Sequence, residues 1–168
     1  MKIYTIGHSN LPLEEFAGLL QAKGIELVVD VRSIPYSRYS PQFNREGLQE
    51  ALGRLGIGYR YLGDSLGGRP NDPACYNGDK PDYAKIARQE AYRSGINELL
   101  QMASEHPTAI MCAEEEPHLC HRHQLITRTL LDEHEVVEVM HIRRDGGLER
   151  AEKVQERAGE PLSLQLGR

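Results

Sequence analysis

No stretch of this 168-residue sequence is apolar for anything like the ~20 residues that a membrane-spanning helix needs. The longest apolar runs, around Leu27-Val28-Val29 and Ala109-Ile110-Met111, are the length of buried strands. Cysteine is scarce and odd in number, three in all, which rules out a disulfide framework. A basic excess is also missing: the net charge is -5 with histidine neutral, which argues against a general nucleic-acid binder but leaves room for a local basic patch. The first residues show no signal-peptide architecture, and no internal repeat or low-complexity segment is evident. These absences lead to the expectation of a reduced, cytosolic protein with no membrane partner. At 39% hydrophobic and 27% charged, the composition is that of one ordinary folded domain.

What is present alternates between two periodicities. Residues 2–6, Lys-Ile-Tyr-Thr-Ile, are β-branched and aromatic and read as a strand. A helix follows the Gly7-His8-Ser9-Asn10 turn, with Pro12, Glu14 and Glu15 in its first turn and Leu13, Phe16, Ala17 and Leu20 at helical spacing. Residues 26–31 form a second strand, apolar without alternation, as strands buried on both faces are. Asn44 opens a second helix and residues 58–62 a third strand. A Gly/Pro-rich loop over 63–81 precedes a helical region over 83–104 that Gly95 could bend. Residues 108–112 are a fourth strand, 117–131 a helix started by Pro117, and 136–142 a fifth strand. The expected fold is a single three-layer α/β domain with a mainly parallel five-stranded sheet in β-α-β-α-β-α-β-α-β order, over residues 1–145. Residues 146–168 read as a charged peripheral tail.

Ligands of open α/β sheets bind beyond the carboxyl ends of the strands. In this sequence those ends carry His8 and Ser9, then Asp30, Arg32 and Ser33, then Tyr61, then Cys112 and Glu114, and finally His141 and Arg143. The densest stretch runs from Cys112 to Arg122. With Pro117 starting a helix, Cys120 falls in its first turn, where the helix dipole, His121 and Arg122 would favour a thiolate. Glu114 is placed for proton transfer or for holding Arg122. The blander readings are that Cys112 is a core thiol, Cys120 a small helix residue and Glu114-Glu115-Glu116 a solvated turn. Arg32, Ser33, Ser37 and Arg38 offer guanidinium and hydroxyl donors suited to phosphate or carboxylate, against a plain solvated loop with Arg32 paired to Asp30 or Glu114. Gly67 and Gly68, before Arg69, offer backbone N–H groups for an anion, although the loop is neither a P-loop nor a dinucleotide fingerprint. His8 and Ser9 precede a helix N-terminus, where an anion or a simple cap would sit.

Cys112, Cys120, His121 and His8 could also ligate a metal. Their spacing matches no familiar zinc pattern, and adjacent helical residues such as Cys120 and His121 point about 100° apart. No metal is therefore expected, and no cofactor is required. A Cys-x5-Arg loop of the sulfur-transfer type is absent.

Several ordered motifs resemble the domain-of-unknown-function 488 family. They are Thr5-Ile6-Gly7-His8-Ser9, Asp30-Val31-Arg32-Ser33-Ile34-Pro35-Tyr36-Ser37 with Phe43, Tyr61-Leu62-Gly63 with Leu66-Gly67-Gly68, Met111-Cys112-Ala113-Glu114 with Cys120-His121-Arg122, and His141-Ile142. The family is prokaryotic, small and intracellular with no established activity, so the resemblance implies a fold and a site but names no substrate. Two functions remain open. One is a thiol-dependent transferase or hydrolase, with Cys112, Glu114, Cys120 and Arg122 catalytic. An anionic, nucleotide-like or phosphorylated substrate would be held by His8, Ser9, Asp30, Arg32, Ser33, Ser37, Tyr61, Gly67, Gly68 and His121. The other is a non-catalytic nucleotide or nucleic-acid binding module using Arg32, Arg38, Arg69 and Arg122.

Overall fold

The first strand, β1 (Lys2–Gly7), is flanked on both sides by parallel partners, and this central position explains the largely apolar and β-branched character of the residues after Lys2. The computed structural model of the protein describes residues 1–159. After β1 come α1 (Leu13–Ala22), β2 (Leu27–Asp30), α2 (Arg45–Arg54) and β3 (Gly58–Tyr61). The 63–81 segment holds a single helical turn, α3 (Gly63–Leu66), and a two-stranded ribbon of β4 (Tyr76–Asn77) and β5 (Lys80–Pro81). Next are α4 (Tyr83–Ala87), α5 (Glu90–Glu105) and β6 (Thr108–Cys112). A π-helical segment (Arg122–Thr127) runs into α6 (Arg128–Glu133), and β7 (Glu138–Ile142), β8 (Leu148–Arg150) and α7 (Ala151–Ala158) complete the described chain.

The main sheet has six strands in the order β3-β2-β6-β1-β7-β8, where the sequence suggested five. Five of them are parallel, and β8 joins the edge antiparallel to β7, pairing Leu148 with Ile142. Three residues, two of them charged, carry too little pattern to be read as a strand. What holds them is tertiary: Glu149 is ion-paired to Arg143 and Arg157, and Ala151 and Val154 of α7 are buried. The last nine residues of the expected tail lie outside the described residues.

Strand alternation sends neighbouring side chains to opposite layers. Val28, Ala109, Met111 and Ile142 pack with Phe16, Leu20, Leu48 and Leu52 of α1 and α2. Val29, Ile110, Cys112 and Val139 pack with Ile96 and Leu99 of α5 and with Leu125 and Leu130 on the other side of the sheet. The helical region after residue 82 breaks at Arg88 and Gln89, and α5 is continuous through Gly95. The absent side chain there lets α3 press close, because a Cβ on Gly95 would lie 2.6 Å from Ser65 Oγ. No helix among the described residues is long and apolar enough to cross a membrane.

Candidate functional site

β6 sits between β1 and β2, so the chain leaving it at Cys112 enters the crevice between two neighbouring strand ends. The register sets Gly7 beside Cys112, and residues 113–115 cross directly over Gly7. A Cβ at Gly7 would lie 1.7 Å from the Glu114 carbonyl oxygen, so only glycine fits under this crossing. His8 N–H donates to Cys112 O (2.9 Å) and Ser9 N–H to Ala113 O (2.8 Å), which extends the β1–β6 ladder into the loop. Arg122 lies wholly buried beneath. Its guanidinium donates to the carbonyls of Glu114 and Glu115 and to Thr5 Oγ1. Arg122 therefore holds the loop in place through backbone oxygens, and the Glu114 carboxylate is left exposed at the rim of the crevice.

The expected helix from Pro117 is interrupted. A 3-10 turn (Pro117–Leu119) closes with Cys120 N–H donating to Pro117 O, and Cys120 itself is extended (φ -124°, ψ 143°). The next helix starts from the Cys120 carbonyl, which accepts from the N–H groups of His123 and Gln124. The side chains of Cys120 and His121 consequently do not diverge as neighbours on a helix would. His121 Nδ1 lies 3.6 Å from Cys112 Sγ and 3.9 Å from Cys120 Sγ. Its other nitrogen, Nε2, is 3.0 Å from Val31 O, and a carbonyl only accepts, so Nε2 carries the proton and Nδ1 offers its lone pair to the two sulfurs. Cys120 Sγ also accepts from Arg122 N–H at 3.5 Å, the first amide of the helix.

The two thiols are inequivalent. Hydrogen bonding from Cys112 holds Cys120 well below the ordinary thiol range, helped by the Arg122 charge and opposed by burial. The same hydrogen bond, together with burial, pushes Cys112 well above that range. Of the two, Cys120 is the thiol that gives up its proton first. Cys75, the third free cysteine, is buried elsewhere in the core.

A second network lies alongside. Asp30 and Arg32, both buried, pair through two hydrogen bonds (2.9 and 2.8 Å), and Arg32 also donates to Phe43 O. Tyr59 O–H donates to Asp30 Oδ2 at 2.5 Å, a partner that the sequence did not suggest. His8 stacks on Phe43 and donates from Nδ1 to Ser9 O, which leaves Nε2 to accept from Arg32 Nη1 (3.3 Å). Burial and the positive charge of Arg32 keep this imidazole neutral, its pKa lowered to about 4.

A cavity of about 390 Å3 opens between these groups. Cys112, Cys120 and His121 line it together with Arg32, Ser33, Gly68 and Glu114. Arg69, which the sequence offered only for the non-catalytic binding reading, lines it as well, as does Tyr83, which was missed because it reads simply as the start of a helical region. Gly68 lies against the His121 ring, where a Cβ would come within 2.8 Å of Cγ. Other expected residues support the site without lining the cavity. Tyr61 O–H donates to the carbonyls of Arg32 and Ser33, and Gly67 packs on Ser33 Oγ. Ser37 Oγ accepts from the N–H groups of Tyr39 and Ser40. Ser9 uses its backbone, with a positive φ of 46°. Arg38 lines a separate groove with Tyr36 and Ser37. Glu115 and Glu116 are held by Arg143 and Arg157.

The fold and site define an α/β protein with a dithiol–imidazole cluster at the carboxyl ends of its parallel strands. A family model described as a domain of unknown function, DUF488, matches residues 12–129, most of the chain, and the protein belongs to that family. No curated protein and no solved structure matches the chain.

Proposed function

We propose that the protein is a small cytosolic enzyme acting on an anionic, nucleotide-like or phosphorylated substrate, with Cys112, Cys120 and His121 as its reactive centre. The observation that carries this reading is the convergence of two thiols and an imidazole lone pair on one cavity wall. A helix amide and a carbonyl-fixed tautomer hold the centre ready for reaction. Glu114, exposed at the rim, serves as the proton-transfer group. Arg69 brings a positive charge to the cavity with no ion-pair partner among the described residues, and Arg32, paired with Asp30, lines the wall beside it. Arg122 acts as a positioning residue. The three cysteines, all free thiols, fit a reducing compartment.

The test is a thermal-shift screen of nucleoside mono-, di- and triphosphates and sugar phosphates. A ligand at a hundredfold excess over its dissociation constant stabilises the native state by about 2.7 kcal/mol. Each hit is then incubated with wild type and with Cys120→Ser. Consumption by wild type and not by the variant supports the enzyme. A hit that binds and is recovered unchanged instead indicates the non-catalytic binding module.

A further inference from the structure

We propose that Cys112, Cys120 and His121 form a zinc site with three protein ligands and one coordination position open to the cavity. This deepens the reading above and rests on it, by naming what the reactive centre holds. Tetrahedral zinc, with Zn–S near 2.3 Å and Zn–N near 2.05 Å, fixes the ligand-to-ligand edges at about 3.6 Å for S···N and about 3.8 Å for S···S. The observed S···Nδ1 separations are 3.6 and 3.9 Å, and all three ligand atoms fall within 4.8 Å of one another. Closing the cluster on one ion requires shifts of about an ångström or less, within the reach of side-chain rotation.

Three further features of the site match what a metal centre needs. The Val31 carbonyl at His121 Nε2 is the outer partner that a ligating histidine requires, because it leaves Nδ1 free to coordinate. The Arg122 N–H on Cys120 Sγ is an N–H···S contact of the kind that steadies a ligating thiolate. Gly68, packed on the His121 ring, limits how far the imidazole can swing. Two thiolates and a neutral imidazole balance a dication in formal charge, which permits the ion to sit between buried thiols. Thiolate and imidazole donors together select zinc over calcium or magnesium.

The objection raised by the sequence, that Cys120 and His121 diverge, depended on both being helical. The extended backbone at Cys120 removes it. His8 is not a fourth ligand, since both of its ring nitrogens are engaged by Ser9 O and Arg32. All three ligands line the cavity, so the fourth position faces it. A water, or an oxygen of the anionic substrate, would bind there, beside Arg32 and Glu114.

The test uses the full chain, reduced and stripped with a chelator. Zinc is titrated in competition with a chromophoric chelator, and cobalt(II) is followed by absorption. The expected result is one ion per chain. The cobalt form should show a sulfur-to-metal charge-transfer band and the intense visible bands of a tetrahedral centre. Cys112→Ser, Cys120→Ser and His121→Gln should each weaken zinc binding by more than about 100-fold, the upper range for losing an outer-sphere partner alone. Cys75→Ser should leave it unchanged. His121→Gln keeps an amide donor for Val31 O, so it separates loss of the ligand from loss of the fold, which circular dichroism checks. A folded wild-type chain without sulfur charge transfer on cobalt addition overturns the proposal, as does uptake that survives all three substitutions.

Failure of this inference is distinct from failure of the enzyme reading. A metal-free chain that consumes its substrate through Cys120 leaves the enzyme standing without zinc. A loaded chain that consumes nothing leaves zinc standing without the enzyme.

Discussion

Replacing Gly7 with alanine puts the placement of the site under direct strain. The added methyl would lie 1.7 Å from Glu114 O and 2.4 Å from Glu114 C, both backbone atoms that cannot rotate away. Reaching an ordinary contact of 3.4 Å requires a relative movement of 1.7 Å between β1 and the crossing loop. A shift of that size breaks the hydrogen bond from Arg122 to Glu114 O, and it strains those from Arg122 to Glu115 O and from Ser9 N–H to Ala113 O. Overpacking costs about 1–3 kcal/mol, and one lost hydrogen bond to a charged group about 1.5–3 kcal/mol. Together these give a destabilisation of roughly 3–6 kcal/mol. With a urea slope of about 2 kcal/mol per molar, the unfolding midpoint should fall by roughly 1.5–3 M. Gly18→Ala is the matched control. Gly18 is exposed within α1 with nothing within 4 Å of its missing Cβ, so alanine there should stabilise by about 0.5–1 kcal/mol. A loss below about 1 kcal/mol for Gly7→Ala would refute the crossing geometry and the clamped loop that depends on it.

Three further outcomes can be checked, two in the same unfolding assay and one by zinc binding. Asp30→Asn leaves the buried Arg32 charge without its counterion and should cost about 3–5 kcal/mol, and the double variant Asp30→Asn/Arg32→Met should recover much of that loss. No recovery would mean that Asp30 acts chiefly through its other partner, Tyr59. Gly68→Ala drives a methyl into the His121 ring and should weaken zinc binding about 10–100-fold through loss of the Val31 contact, so unchanged binding would remove Gly68 from the site. His141 is buried against Thr5 and His123, and burial with the charges of Arg122, Arg143 and Arg157 holds it well below its ordinary value of 6.5. Folded, it stays neutral, while the unfolded chain takes up the proton below that value. Its stabilisation is therefore complete above pH 6.5 and falls as the pH drops, by about 1.4 kcal/mol per unit for this one site. A urea midpoint that does not fall between about pH 7 and about pH 5, or an imidazole NMR shift showing His141 charged in the folded chain, would contradict this.

The sequence by itself determined the parallel α/β layers. β1, β2 and β6 are short apolar runs bounded by turn residues, and burial on both faces is a local property of composition. It also brought His8, Arg32, Cys112 and Glu114 to one edge, because the carboxyl ends of parallel strands all lie on the same side. It did not contain the strand order, nor β8, whose three residues are held by pairing with β7, by ion pairs and by the adjoining α7.

Residue roles, too, were decided only in three dimensions. Arg122 and Arg32 look alike in sequence as anion binders, yet Arg122 is spent on the carbonyls of Glu114 and Glu115 while Arg32 keeps a face on the cavity. Arg69 reaches the cavity from a loop with no periodicity to place it, and Tyr83 from the first residue of α4. The Cys–Cys–His cluster depended on one backbone decision, the extended conformation at Cys120. Helical spacing sets Cys120 and His121 apart, whereas a broken turn followed by a new helix start sets them together. Nothing in the order of the residues says which will occur, because the choice is made by the buried Arg122 and by the strand end against which the turn must fit.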